Sequence, residues 1–320
     1  MKIFITGATG FIGEEVACGL RRNGHDVLAL VRNTANNATV QRLIQQEVQI
    51  IQGDLLQPET YKHSLQVCDI IIHCAVDITN YGEVDSIAVD TILSACSKTN
   101  DPQQLGTKKK IFLYTSGIMC YAEQLQKLLT EDDLTLTEGW LLHERHINEQ
   151  KVLHSTNVYG CVIRPAWVYG KRSKHFNQYF LQTINKPATI LVTHPNKSYS
   201  QIHIDDLVRF YVLACECSSP EIFIQSQIYN VADDSHYTNF EIARAFTKSM
   251  NWTGQLIPED ECEEEKSDRW KFRNRTILVD STKAKNNFGF KCKHKLMLDD
   301  VEILKNSSLA LNTTNQQNNQ

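Results

Sequence analysis

The sequence predicts an α/β protein: a doubly wound parallel sheet followed by a smaller C-terminal lobe. Three observations carry this. The first half holds six short apolar runs, amphipathic stretches separate them, and a glycine-rich turn follows the first run directly. The runs fall at residues 3–6, 27–31, 48–51, 70–73, 111–114 and 158–163 and are rich in β-branched side chains. Near-continuous apolar runs of that length suit strands buried on both faces. Between the first two, Ile12, Val16 and Leu20 recur at helical spacing and Asn23-Gly24 supplies a stop.

After Arg164-Pro165 the pattern loosens. It predicts a helix over 175–183, a strand over 190–192, a helix following Asp205-Asp206, a strand over 228–231 and a helix near 239–250. The division that results is a sheet domain over residues 1–170, completed by about 202–232, and a lobe from 171–201 and 233–307. The acidic run at 259–266 reads as a solvated face, and the Lys108-Lys109-Lys110 run as a solvated loop. Residues 308–320 are Asn/Gln/Ser/Thr-rich and read as a disordered polar tail.

Composition narrows the function classes. The chain has 320 residues, 42% hydrophobic and 22% charged, the values of an ordinary globular protein. About three quarters of the unfolded surface can be buried at this length, enough for one large core with a satellite. With 33 basic and 37 acidic side chains, nothing electrostatic favours nucleic acid or an anionic membrane. The 10 cysteines are scattered singly and read as reduced, mostly buried hydrophobes; no two Cys or His fall at ligand spacing with a second pair to close a metal site. No run approaches the roughly 18 apolar residues of a membrane span. The expected setting is the cytoplasm.

The turn Gly7-Ala8-Thr9-Gly10-Phe11-Ile12-Gly13 carries the first chemistry. Gly7 permits a tight turn, Gly10 lets backbone approach a pyrophosphate, and Gly13 lets helix and strand pack closely. The helix N-terminus, from Phe11 and Ile12 onward, then offers N–H groups to phosphate. Where an acidic residue would bind an adenosine ribose, the second strand ends Leu30-Val31-Arg32-Asn33. Arg32 can pair with a 2′-phosphate, which favours NADP(H) over NAD(H).

These residues resemble the extended short-chain dehydrogenase/reductase family, also called NAD-dependent epimerase/dehydratase-like. Further motifs extend the resemblance: Gly53-Asp54-Leu55, Ile71-Ile72-His73-Cys74-Ala75, Tyr114-Thr115-Ser116-Gly117, Ile163-Arg164-Pro165 running on to Tyr169-Gly170, Gln201 to Leu207, and Val279 to Ala284 with Phe288-Gly289-Phe290. The resemblance implies a Rossmann sheet and a substrate lobe. It places Asp54 and Leu55 near adenine, Ala75 along the cofactor, and Arg164-Pro165 near the nicotinamide. Ser116 takes the place of the catalytic hydroxyl, and the family's habit implies a homodimer paired through two helices.

One departure stands out. The family's general acid/base is a Tyr followed four residues later by Lys, whose charge lowers the phenol's pKa. None of the 11 tyrosines here has that lysine. Counted back from Glu149, which resembles a glutamate on the same helix, the pair's places hold Leu141 and Arg145. Arg145 can still bind a cofactor ribose but cannot shuttle a proton. Tyr121, shortly after Ser116, is one candidate donor; His143 and His146 are others, with surface or capping roles competing. His73 reads as structural, and Asp205 and Asp206 as a helix N-terminal feature. Three functions follow: an oxidoreductase on a carbonyl or secondary alcohol, a non-catalytic NADP(H) binder or redox sensor, and a nucleotide-sugar epimerase or dehydratase.

Overall fold

The computed structural model describes residues 1–317 apart from 36, 78–79, 81, 97–108, 125–126, 137–142 and 260–273. Leu141, Lys108 and all but Glu259 of the acidic run lie outside the described residues. Seven strands form the central sheet: β1 (Lys2–Thr6), β2 (Asp26–Val31), β3 (Gln49–Gln52), β4 (Ile70–His73), β5 (Lys110–Thr115), β6 (Val158–Pro165) and β10 (Gln227–Val231). Their order is β10-β6-β5-β4-β1-β2-β3, all parallel. The chain winds outward from β1 to β3, then crosses back to β4 on the other side of β1. A crevice opens at that reversal, at the carboxyl ends of β1 and β4.

The apolar runs are continuous because alternate residues enter two different cores. Ile3, Ile5, Ala29, Ile72 and Leu113 face helices α1 (Phe11–Arg22) and α7 (Ile204–Cys215). Phe4, Leu28, Ile71, Phe112 and Val162 face α3 (Lys62–Val67), α4 (Glu83–Ala95) and α5 (His143–His154). Helix α2 (Ala38–Gln45) is capped by Asn37, whose side chain accepts from the N–H groups of Thr39 and Val40. A short α8 (Pro220–Phe223) leads into β10.

The lobe has its own core of Phe176, Phe180, Val192, Ile242, Phe246 and Met297. Helices α6 (Lys174–Ile184) and α9 (Asn239–Ser249) bring Phe180 and Phe246 into a stack 4.2 Å apart. Two parallel strand pairs complete it, β7 (Trp167–Tyr169) with β9 (Gln201–His203) and β8 (Thr189–Thr193) with β11 (Gln255–Glu259). Helix α10 (Thr282–Phe288) ends on Gly289, which takes the left-handed conformation at φ 60°.

Two expectations are corrected. The tail is helical as far as residue 317: α11 (Val301–Gln317) docks on α6 and α9 with Leu304 and Ser308 buried. Tertiary contact at its first turns supplies what its composition lacks. The described part of the lysine run, Lys109 and Lys110, is not a free loop either. Lys110 opens β5 and its ammonium donates to the carbonyls of Gln66 and Cys68, while Lys109 donates to Gln225. Among the described residues, no helix is long and apolar enough to cross a membrane.

Candidate functional site

A cavity of about 380 Å³ opens at the crevice. Gly7, Thr9, Gly10, Arg32, Asp54, Leu55 and Ala75 all line it, joined by Asn33, Asn37, His73 and Cys74 from the strand ends and the loops beyond them and by Asp85 from the first turn of α4. The glycine turn shows why those positions lack side chains. Gly7 sits at φ +70°, and a Cβ there would lie 2.5 Å from the Ala75 nitrogen. A Cβ on Gly13 would lie 2.3 Å from the Gly7 carbonyl, so strand and helix touch here. At Gly10 a Cβ would meet only the Gly7 carbonyl at 3.2 Å and would otherwise project into open space. No side chain caps the α1 N-terminus that follows. Phe11 and Ile12 turn instead toward the core beneath. These features fit a bound pyrophosphate.

Behind the cavity wall lies a buried polar network. Thr6 Oγ1 is 2.8 Å from His73 Nδ1, and His73 Nε2 is 2.9 Å from Asp85 Oδ1. The other carboxylate oxygen accepts from Tyr114 OH at 2.5 Å and Asn148 Nδ2 at 2.9 Å. Burial acts to raise the Asp85 pKa, but His73 above all, with Arg145 and Tyr114, holds it well below the usual carboxylate range. Burial also drives the Tyr114 hydroxyl well above its ordinary range. The Arg145 guanidinium lies 5.8 Å from the Tyr114 ring centre, so its charge bears on this end of the sheet. His73 is structural as expected, tying β1 and β4 to α4. Cys74 stays a thiol at neutral pH, since burial pushes it up to about 11.

Ser116 follows β5 on a loop pinned by its own N–H, which donates to the Ile163 carbonyl at 2.8 Å. Its Oγ is buried and has no hydrogen-bond partner. Ser116 is not among the residues that line the cavity. Gly117 beside it leaves space, a Cβ there meeting nothing nearer than the Pro165 carbonyl at 3.9 Å.

Tyr121 does not serve this site. Its ring is fully buried, its hydroxyl donates to Asn230 Oδ1 at 2.8 Å, and the Arg164 guanidinium lies 4.8 Å from the ring centre. Burial pushes its pKa far above neutrality. The candidate donor is a core residue. Arg164 in turn pairs with Glu149 through contacts of 3.1 and 2.5 Å, fixing α5 to β6. His146 Nδ1 is 3.3 Å from the Thr135 hydroxyl, a loop contact.

The sequence reading overlooked two groupings. Arg275, in the lobe, sends its guanidinium to the Tyr121 carbonyl at 2.5 Å and the Met119 carbonyl at 2.9 Å. The partners are main-chain atoms, which leave no motif. The second grouping is His203, Asp205 and His294, with ligand atoms within 4.8 Å of one another although His294 is distant in sequence from the other two. Lys171 already holds Asp205 Oδ1 at 2.6 Å, and His203 Nδ1 caps α7 by accepting the Asp205 N–H at 3.1 Å. The two imidazoles stack 3.7 Å apart at 19°, so their in-plane lone pairs run side by side rather than converging. Burial, with the charge of His294, pushes His203 down to about 4, which keeps it a neutral acceptor. This geometry suits a latch between α7 and the 291–295 loop better than a metal centre. Asp206 completes the latch by accepting the N–H groups of Lys293 and His294.

A doubly wound sheet with a glycine cradle at its reversal point defines a dinucleotide-binding α/β enzyme. The profile of the NAD dependent epimerase/dehydratase family matches residues 3–232. Human short-chain dehydrogenase/reductase family 42E member 1 is 24% identical over 278 residues, 79% of this chain and 68% of that protein. The 2-alkyl-3-oxoalkanoate reductase of Stenotrophomonas maltophilia is 23% identical over 244 residues, covering 73% and 71%. Among solved structures, the UDP-glucuronic acid 4-epimerase of Bacillus cereus, in complex with UDP-glucuronic acid and NAD, superposes with a TM-score of 0.74 at 19% identity. It covers 97% of this chain and all of that one, a likeness of fold. The chain belongs to the NAD-dependent epimerase/dehydratase family of extended short-chain dehydrogenases/reductases and is an NAD(P)-dependent enzyme of that type.

Proposed function

We propose that the chain is an NADP(H)-dependent oxidoreductase acting on a carbonyl or secondary alcohol. The observation that carries this reading is the buried, unpartnered Ser116 Oγ beside the carboxyl ends of β4 and β5. Gly7, Thr9, Gly10 and the α1 N-terminus would hold the cofactor's pyrophosphate; Asp54 and Leu55 would border its adenine. Arg32 lines the same cavity at the end of β2, where a 2′-phosphate would find its charge. Arg145 and Pro165 would flank the nicotinamide, whose hydride is the chemistry the cofactor supplies. Ser116 would polarise the substrate oxygen. With Tyr121 sealed in the core and Tyr114 committed to Asp85, water acting at Ser116 Oγ would bring the proton. The name of the Stenotrophomonas relative, an oxoalkanoate reductase, supports a carbonyl substrate. By the family's habit, we also place the chain in a homodimer.

The same two committed tyrosines favour a second reading, a non-catalytic NADP(H) binder. An epimerase or dehydratase would need the phenol and the lysine in whose places Leu141 and Arg145 stand. One experiment separates the three: incubate the protein with NADPH or NADP⁺ and a panel of aldehydes, ketones, 3-oxo acids, secondary alcohols and nucleotide sugars, and follow cofactor absorbance and products. Turnover of a carbonyl that Ser116→Ala lowers by about 10²-fold supports the proposal, that being the scale of one lost oxyanion donor. Binding without turnover on any panel member supports the sensor, and epimerised sugar supports the third. Turnover unaffected by Ser116→Ala sinks the assigned role.

A further inference from the structure

We infer that Arg275 is a positioning residue, through which the C-terminal lobe fixes the loop that carries Ser116. The inference rests on the role proposed for Ser116. From residue 116 to 123 the chain leaves the sheet, makes a short 3₁₀ turn (Ile118–Cys120) and meets the segment around residue 275. On the sheet side it is tied by the Ser116 N–H to Ile163 and by the Tyr121 hydroxyl to Asn230. On the lobe side it is tied by the segment around residue 275. The two Nη atoms of Arg275 grip the carbonyls of Met119 and Tyr121, one within the turn and one just past it. The next residue continues the seam: Thr276 N–H donates to Glu123 Oε1, which also receives Lys197. Trp167 adds a contact from β7, its indole N–H 3.2 Å from the Met119 sulfur.

Arg275 is only 7% exposed. Burying a guanidinium carries a large desolvation penalty, so it is retained where its fork does something that a smaller group cannot. Here the fork spans two carbonyls on successive parts of one turn. Lysine presents its donors from a single atom and cannot bridge them in the same way. Without the bridge, the turn keeps the contacts at Glu123 and the Met119 sulfur but loses the hold on its two carbonyls, and the Ser116 hydroxyl loses part of what fixes its direction. A catalytic group displaced by about 1 Å costs on the order of 10²-fold in rate.

The test compares native protein with Arg275→Lys and Arg275→Gln by three measurements. Hydrogen exchange reads the amides of Ser116, Cys120 and Tyr121, which are bonded within the loop and to Ile163. Titration reads NADPH affinity at the distant glycine cradle, and steady-state kinetics reads kcat and KM on whichever carbonyl the native enzyme turns over. The expected result is at least about tenfold faster exchange in the loop, a kcat lower by about 10²-fold, and NADPH affinity within twofold of native. Arg275→Lys should fall between native and Arg275→Gln. Unchanged loop exchange in both variants overturns the inference. So does a parallel fall of NADPH affinity, melting temperature and kcat, which would mark general loosening. If the native protein turns over nothing, the oxidoreductase reading fails while the exchange measurement still decides the clamp.

Discussion

Replacing Asp85 by Asn tests the buried network behind the cavity. Three donors converge on this carboxylate: Tyr114 OH at 2.5 Å, Asn148 Nδ2 at 2.9 Å and His73 Nε2 at 2.9 Å, with Thr6 supplying a proton to the other His73 nitrogen. Asparagine keeps one acceptor oxygen and turns an N–H₂ toward groups that are already donors. Hydrogen bonds to a charged acceptor contribute about 1.5–3 kcal/mol each, and at least one is lost outright while the others weaken. Because the site is almost fully buried, solvent does not soften the loss. The expected destabilisation at pH 7 is about 3 kcal/mol. The native carboxyl pKa is depressed below its unfolded value, so its contribution is complete above about pH 4 and is lost as pH falls toward the folded pKa. The gap between native and variant should therefore close by up to about 1.4 kcal/mol per pH unit below pH 4. Urea unfolding of both proteins at pH 7, 4 and 3 measures it. A difference under about 1 kcal/mol at pH 7, or one that does not shrink by pH 3, would refute the assignment of Asp85 as a charged hub.

Other outcomes follow from the same geometry. Arg32→Ala should reduce any preference for NADPH over NADH by about tenfold, read by fluorescence titration; equal affinities in the native protein would sink the 2′-phosphate assignment. Gly10→Val should weaken cofactor binding at least about tenfold with a smaller effect on melting temperature, since Gly10 lines the cavity and a Cβ there meets only the Gly7 carbonyl, at 3.2 Å. Tyr121→Phe should destabilise the fold by about 1–2 kcal/mol, by stripping Asn230 of a donor, as read by urea unfolding. A change under about 0.5 kcal/mol would refute the bond's structural role.

Much of this fold can be read from the chain because the central strands are buried on both faces and so announce themselves as unbroken apolar runs. The predicted runs at 70–73 and 111–114 fall within β4 and β5, and the glycine turn stands where strand gives way to helix. The site was less legible. Tyr121 lies five positions from Ser116, yet nearness along the chain says nothing of direction, and its ring is turned inward by Asn230, a partner 109 residues away. Arg275 grips carbonyls, and a carbonyl is the same at every residue. The terminal helix depends on docking through Leu304, which local composition does not report. In each case the missing information is a long-range contact, not a local preference.

The cradle proposed for the cofactor is made largely of main chain, whereas the roles proposed for Ser116, Arg145 and Arg275 rest on side chains. Of the point substitutions only proline deletes a peptide N–H, so mutational risk at the cradle falls chiefly on its glycines. At those three residues a single codon change can remove a whole functional group. The two sets of residues thus have unequal tolerance to genetic drift. Chemistry can turn over in such a chain while its appetite for the nucleotide persists.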